Sequence, residues 1–374
     1  MPTDTLLRSP FHAYHEETGA RLVDFAGWHM PLSYGSALAE HEHTRTAVSL
    51  FDVSHMGRIE FKGRDARRLL ETLLTRRIST MQENTCRYTL ICNEQGGIID
   101  DALIYRYPEH WLLVVNASNR QAFLDHTADT VEANGFKATV KDHTQKTAMV
   151  ALQGPQAIQI LESVSTGISQ LKRYSFVVKN LLLYKLTLSR TGYTGEDGVE
   201  VIMPASLANR AVDLLRKEAD KRGLNIKPAG LAARDTLRIE AGMPLYGHEI
   251  DAQTDPFTAG LGFAVTLSEP DPDGPQIPRF IGQDALEKIQ AEGPAEQIIG
   301  LRLEGRRTPR QGDPVLQNDQ TIGHITSGCM VPTQPGPIAM ARVPSTLRVD
   351  TEVVIGLGAG KHLIPATTSK ASFL

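Results

Sequence analysis

The sequence predicts an α+β protein that ends in a small all-β domain. Three observations carry this. Helical and strand patterns are interleaved from Phe11 to Asp251. A stretch rich in Pro, Asp and Gly, EPDPDGPQ from Glu269 to Gln276, has the composition of a linker. Beyond Ile298 short strand-like runs alternate with turns: Ile299–Leu303, Pro314–Gln317, Thr321–Ile325, Ile338–Val343 and Glu352–Leu357. At 374 residues the chain has room for two or three domains.

The elements follow in order. Phe11 to Ser33 reads as helical and then extended, with Phe25 to Pro31 as an apolar loop. A helical run from Ala37 to Ala47 carries His41 and His43, two apart and so on different helix faces, which reads as surface histidines rather than a metal pair. Leu50-Phe51-Asp52-Val53-Ser54-His55-Met56-Gly57 is a strand start interrupted by polar residues. Its Asp, Ser and His lie within four positions and lack a nucleophile-elbow glycine pattern, so they read as pocket-lining loop residues rather than a hydrolytic triad. Arg64 to Leu74 is helical, with Ala66, Leu69, Leu70 and Leu73 at the 3.6 period.

Tyr88 to Tyr105, YTLICNEQGGIIDDALIY, reads as a β-hairpin turning through Asn93 to Gly97. Asp100 and Asp101 stand inside its second strand. Asp is depleted in strands, and a carboxylate in low dielectric needs a partner. Alternation puts Ile98, Asp100, Ala102 and Ile104 on one face and Ile99, Asp101, Leu103 and Tyr105 on the other. It does not decide which carboxylate points inward, or whether both sit at a solvated mouth. A third strand, Trp111 to Val115, and a helix from Asn119 to Asn134 closed by Gly135 come next.

Ala148 to Leu152 reads as a strand, Gln156 to Leu161 as a helix opened by Gly154-Pro155, and Tyr184 to Ser189 as a strand. The loop Arg190 to Gly198 leads into Val199 to Met203, where Glu200 sits between valines, either solvated or a buried acceptor. A helix from Leu207 to Lys221 has Ser206 as a candidate N-cap. In the next helix, Pro228 to Gly242, Arg234 and Arg238 are four apart and share a stripe that either holds an anion or pairs with Asp235 and Glu240. The glycine-rich Gly356 to Lys361 reads as a hairpin turn, because no helix follows to meet a phosphate. No dinucleotide fingerprint occurs elsewhere, so neither flavin nor nicotinamide is expected.

Composition bounds the function. Hydrophobic content of 41% and charged content of 22% belong to soluble globular proteins. No apolar run approaches the roughly 18–20 residues that span a bilayer, so no membrane role is expected. The opening MPTDTLLRSPFHAYHEE has no signal-peptide core, which predicts a cytoplasmic location. A net charge of −4 argues against nucleic acid as the partner. Three scattered cysteines, Cys86, Cys92 and Cys329, offer neither a disulfide framework nor a metal spacing, and no metal is expected.

Several segments together resemble one family: DFAGWHMPLSYG from Asp24, LFDVSHMGRIEFKG from Leu50, YTLICNEQGGIIDD from Tyr88 and VVNASNR from Val114. They continue as ALQGPQA from Ala151, SRTGYTGEDGVEV from Ser189, GLAARDTLRIEAGMPLYGHEID from Gly230 and GHITSGCMVPT from Gly323. The combination is similar to the T-protein family of the glycine cleavage system, which are aminomethyltransferases. The resemblance implies a cloverleaf of three domains around an opening that holds tetrahydrofolate as co-substrate, with the lipoylated H protein as partner. It implies a discontinuous first domain, 1–56 with 146–268, a second over 57–145, a linker over 269–288 and a β-barrel over 289–374.

Carried over by motif, Asp101 is the catalytic carboxylate. Tyr88, Asn116 and Tyr193 line the folate pocket, Glu200 holds the pterin and Arg234 binds folate, with Met56 and Val115 as further lining. Folate-dependent demethylases share the fold, often fused to a flavin domain. A folate-binding factor of iron–sulfur protein maintenance shares it too, but carries a Lys-Gly-Cys motif where this chain has Arg190-Thr191-Gly192-Tyr193. The tail Lys370-Ala371-Ser372-Phe373-Leu374 departs from the family's usual ending.

Overall fold

The computed structural model describes residues 6–181, 184–267 and 278–374. A six-stranded sheet runs in the order Phe176–Leu181, Tyr184–Ser189, Gly198–Pro204, Thr147–Gln153, Val48–Asp52, Ile226–Pro228. Its inner strands are apolar on both sides because both faces are covered. Val150, Leu152 and Val201 pack with Ile160 and Val212 of the helices Ala157–Val164 and Ala208–Asp220. Phe51, Met149 and Ala151 face the other way and meet Tyr105, Leu112 and Val114 of a second sheet.

That second sheet has five strands, ordered Thr85–Cys92, Ile98–Arg106, Trp111–Val115, Gly57–Lys62, Thr139–Asp142. Its outer face is closed by Leu69, Leu70 and Leu73 of the helix Ala66–Leu73 and by Phe123 of Arg120–Asn134. The latter helix stops at Gly135, which takes φ 63°, a left-handed value that costs glycine nothing. The two sheets thus share one apolar seam, and the site lies at its edge. A closed six-stranded barrel between Glu296 and Ser369 completes the fold. The protein is α+β with a C-terminal barrel.

Several local expectations change. Phe25 to Pro31 is not a loop: Arg21–Phe25 and Trp28–Ser33 pair as a hairpin, turning through Ala26 at φ 52° and Gly27 at φ 79°. Two positive φ values in a two-residue turn match the twist of the strands, and Ala-Gly hides a turn that Asn-Gly would have announced. Ser206 does not cap the helix Ala208–Asp220, since Ala205–Leu207 is a 3-10 turn and Leu207 takes the cap position. The helix with Arg234 and Arg238 is shortened to Leu231–Glu240, because Ile226–Pro228 pairs in parallel with Val48–Leu50.

The Glu269–Gln276 linker lies outside the described residues. Within the expected linker range, residues 283–288 instead belong to the helix Gln283–Glu292. Its Leu286 and Ile289, three apart, pack against Leu90, Cys92 and Ile98 of the hairpin, and that burial holds the helix there. Gly356 to Lys361 contains one helical turn, Leu357–Gly360, between two antiparallel barrel strands. Among the described residues no helix is long and apolar enough to cross a membrane.

Candidate active site

The hairpin of Thr85–Cys92 and Ile98–Arg106 turns through residues 93–97 and contains one irregularity. Ile91 pairs with Asp100 and Cys92 with Ile98, so Ile99 is an extra, bulged residue. The bulge changes the expected faces. Ile99 packs with the core of Ala102 and Ile104, whereas Ile98 joins Leu90 and Cys92 on the other side.

The hairpin tip is not a solvated mouth. Ile98 N donates to Asp251 O at 3.1 Å and to Thr254 O at 3.0 Å. A Cβ on Gly97 would stand 1.9 Å from Ala252 O, so only glycine allows this approach.

Asp100 is therefore enclosed, whereas Asp101 is half-buried. Asp100 is 0% exposed. Its Oδ2 accepts from Asn116 N at 3.0 Å, and its Oδ1 accepts from Asn116 Nδ2 at 2.7 Å and Asn119 Nδ2 at 2.8 Å. Asp101 faces a cavity of about 1160 Å³. Its Oδ2 accepts from Tyr88 Oη at 2.9 Å and its Oδ1 from Asn116 Nδ2 at 2.6 Å. Burial pushes both carboxyls above the ordinary aspartate range. The neighbouring Asp101 charge adds to this for Asp100, and the hydrogen bonds from Tyr88 and Asn116 partly oppose it for Asp101.

The same cavity collects Tyr88, Asn116, Tyr193, Glu200, Arg234 and Met56. Val115 is a correction. It is fully buried in the core behind the sheet with Ile104 and Leu113, and Val114 lines the cavity in its place, because neighbouring strand residues point to opposite faces.

Glu200 sits opposite Ser189 on one side and Ala151 on the other, and is 5% exposed. It accepts from Thr191 Oγ1 at 2.5 Å. Burial pushes its carboxyl up, with Thr191 and Arg234 pulling the other way.

Arg234 lies over the ring of Tyr193, 4.7 Å from the centroid, and its Nη1 is buried with no hydrogen-bond partner among the described residues. Tyr193 is held by donating its hydroxyl to Pro244 O. Arg238, on the same stripe, is consumed by structure. It donates to Glu249 at 2.6 Å, Asp235 at 2.8 Å and Ser327 Oγ at 2.7 Å.

Other polar residues separate by role. Asp52 pairs with His15 Nε2 at 2.9 Å and Ser54 Oγ donates to Met149 O at 3.2 Å, so these two form no relay with His55, which lines the cavity. His41 is not on the helix surface: it is buried between Thr236 at 2.9 Å and Glu240 at 3.0 Å.

Sequence reasoning gave no sign of Phe263, which lines the cavity, stacks on Tyr88 with centroids 5.9 Å apart and is 63% exposed. It stands in a 3-10 turn with no periodic pattern to mark it. The tail is docked, with Phe373 N donating to Glu240 O at 2.8 Å and Ala371 lining the cavity. Among the described residues no group of three or more His, Cys, Asp or Glu is placed to hold a metal ion.

The arrangement is a large cleft lined by a half-buried carboxyl whose ionisation is opposed by desolvation, a second, buried carboxyl, an arginine with a buried N–H that no described residue accepts, and the rings of Tyr88, Tyr193 and Phe263. It suits a flat, polar ligand and proton transfer. Comparison with known proteins gives the family. Residues 11–269 match the GCVT N-terminal domain, and residues 297–374 match the glycine cleavage T-protein C-terminal barrel domain.

An aminomethyltransferase from Rubrobacter xylanophilus is 43% identical over 357 residues, covering 94% of this chain and 91% of the relative. One from Symbiobacterium thermophilum is 41% identical, covering 94% of each. The crystal structure of glycine cleavage system aminomethyltransferase T from Bartonella henselae matches with a TM-score of 0.87 at 32% identity, covering 99% of this chain and 98% of that one. This chain belongs to the glycine cleavage T-protein family of aminomethyltransferases.

Proposed function

We propose that this chain, as the aminomethyltransferase of a glycine cleavage system, moves the methylene carbon of an aminomethyl-lipoyl H protein to tetrahydrofolate and releases ammonia. The observation that carries the residue assignment is Asp101, a half-buried carboxyl held by Tyr88 and Asn116 in the cavity it shares with Glu200 and Arg234. That cavity is at or above the roughly 300–1,000 Å³ usual for small-molecule sites. Tetrahydrofolate, when bound, supplies the amine nitrogens that take the one-carbon unit.

The transfer breaks the carbon–sulfur and carbon–nitrogen bonds of the donor. Two protons leave the accepting amines and two are needed, one on sulfur and one on ammonia. Asp101 is suited to carry such a proton, since desolvation raises its carboxyl above the ordinary aspartate range while Tyr88 and Asn116 hold its direction. Glu200 accepts from the N–H edge of the pterin, and Arg234 donates to an acceptor or anion of the folate. Tyr193 stiffens Arg234 from below, and Met56 fills the wall. The same reading groups 1–56 with 146–268, and takes 57–145 and 289–374 as the other two domains.

The test is ammonia release from aminomethyl-loaded H protein with and without tetrahydrofolate. Folate-stimulated release, with one methylene-tetrahydrofolate formed per ammonia, is the expected result. Absence of stimulation would refute the reading.

A further inference from the structure

His55 is a polar side chain in the cavity that no described residue satisfies. It is 3% exposed and its ring stands edge-on to Phe25, with centroids 5.3 Å apart and planes at 85°. Neither ring nitrogen has a hydrogen-bond partner among the described residues. Nδ1 is sealed in protein, whereas Nε2 is not. Burial lowers the imidazole, Asp52 opposes this, and Arg234 and Arg58 reinforce it, to about 3. The ring is therefore neutral at neutral pH and carries one N–H.

The tautomer follows from the burial. A sealed N–H with nothing to accept it costs more than a sealed lone pair. The proton thus sits on Nε2, the nitrogen with open space, and His55 is a fixed, uncharged donor.

The cavity around it sorts its polar groups by type. The Arg234 guanidinium can only donate and makes no hydrogen bond to a described residue. Glu200 is an acceptor when ionised. A second donor near Arg234 calls for a ligand with strong acceptors. A pterin has a carbonyl oxygen and unprotonated ring nitrogens. An aminomethyl-lipoyl arm brings an amine and a thioether, and thioether sulfur is a weak acceptor.

We infer that His55 is a ligand-binding residue whose Nε2–H donates to an acceptor atom of bound tetrahydrofolate. This rests on the proposed function, and the test separates the two. Tetrahydrofolate is titrated calorimetrically, without H protein, into the wild type, His55→Leu and His55→Gln. The imidazole tautomer of the wild type is read by nitrogen-15 NMR.

The leucine variant should bind roughly 3- to 10-fold more weakly, the worth of one neutral hydrogen bond. The glutamine variant, which keeps a side-chain N–H, should recover most of the affinity, with thermal midpoints unchanged. NMR should find the proton on Nε2.

If the wild type binds no folate, the proposed function itself fails. If the wild type binds and the leucine variant matches it, the inference is wrong while the function stands. Glutamine binding no better than leucine would mean shape rather than donation, and a proton on Nδ1 would overturn the tautomer. If a variant does not fold, the wild-type nitrogen-15 spectrum with and without tetrahydrofolate still tests the inference: the Nε2 resonance should shift on binding, and no shift would overturn it.

Discussion

Asp100 and Asp101 are consecutive on one strand and share a single amide: Asn116 Nδ2 stands 2.7 Å from Oδ1 of the first and 2.6 Å from Oδ1 of the second. The pair divides structure from chemistry. Asp100 accepts from Asn116 and Asn119 and does not line the cavity, whereas Asp101 does.

Asp101→Asn should lower turnover by roughly 10²–10⁴-fold, the worth of a positioned acid or base, with little change in melting temperature. Asp100→Asn should instead destabilise, by about 1–3 kcal/mol, because its new amide group faces the donors of Asn116 and Asn119. Steady-state methylene-tetrahydrofolate formation and urea unfolding on both variants separate the two effects. Equal loss of activity in two stable variants would contradict the division.

The raised carboxyl of Asp101 has a pH signature. Proton uptake needs the carboxylate, so turnover should fall as pH drops through a value above the ordinary aspartate range, and Asp101→Asn should lack that limb. Stability moves in the opposite sense. A carboxyl whose folded-state pKa exceeds its unfolded one favours the fold most at pH below the unfolded value. That contribution is lost as pH rises through the folded one. A pH–rate profile whose acidic limb survives in Asp101→Asn would assign the limb elsewhere.

Substitutions at Arg234 and Arg238 should be felt in different assays. Arg234→Lys removes the planar fork over Tyr193 and should weaken folate binding without loss of stability. Arg238 is 1% exposed and pairs with Glu249, so Arg238→Ala should cost about 3–5 kcal/mol by leaving that carboxylate buried and alone. Calorimetry with folate and thermal melts test both. Tighter dependence of binding on Arg238 than on Arg234 would reverse the assignment.

Glu200→Gln keeps the shape and the Thr191 contact but removes the charge. Folate binding should weaken by about 1.5–3 kcal/mol, the range for a hydrogen bond to a charged group. Calorimetric titration checks this, and unchanged affinity would exclude Glu200 as a ligand contact.

Glu240 ties the barrel to the rest of the fold. It meets His41 at 3.0 Å and Arg45 at 2.6 Å, and accepts from Thr333. Burial opposes its ionisation, but His41, Thr333 and Arg45 outweigh it and hold the carboxyl down to about 2. Its folded pKa lies below its unfolded one, so its stabilisation is present above the unfolded value and is lost as pH falls through about 2. Glu240→Gln should lower the urea midpoint at neutral pH, and the gap to wild type should close toward the acid end. A constant gap would mean that charge plays no part.

Much of this protein was legible from local pattern. The hairpin, its turn at 93–97, the strand Trp111–Val115 and the helix stop at Gly135 follow from periodicity and turn chemistry, which act within a few residues. The odd strand carboxylates Asp101 and Glu200 stood out because such residues need partners. Family resemblance then singled out Asp101 over Asp100, Arg234 over Arg238, and the pocket residues.

What local pattern left open was decided by elements distant in sequence. Alternation splits Val114 from Val115 and Asp100 from Asp101, yet both faces of this sheet are buried, so polarity cannot tell cavity from core. The bulge at Ile99 shifts the alternation itself. His41 looked like a surface residue until Glu240 arrived from another helix, and Arg238 looked as free as Arg234 until Glu249 and Ser327 closed on it. A residue's period says which neighbours share its face. The partner that face meets is set only when the whole chain packs.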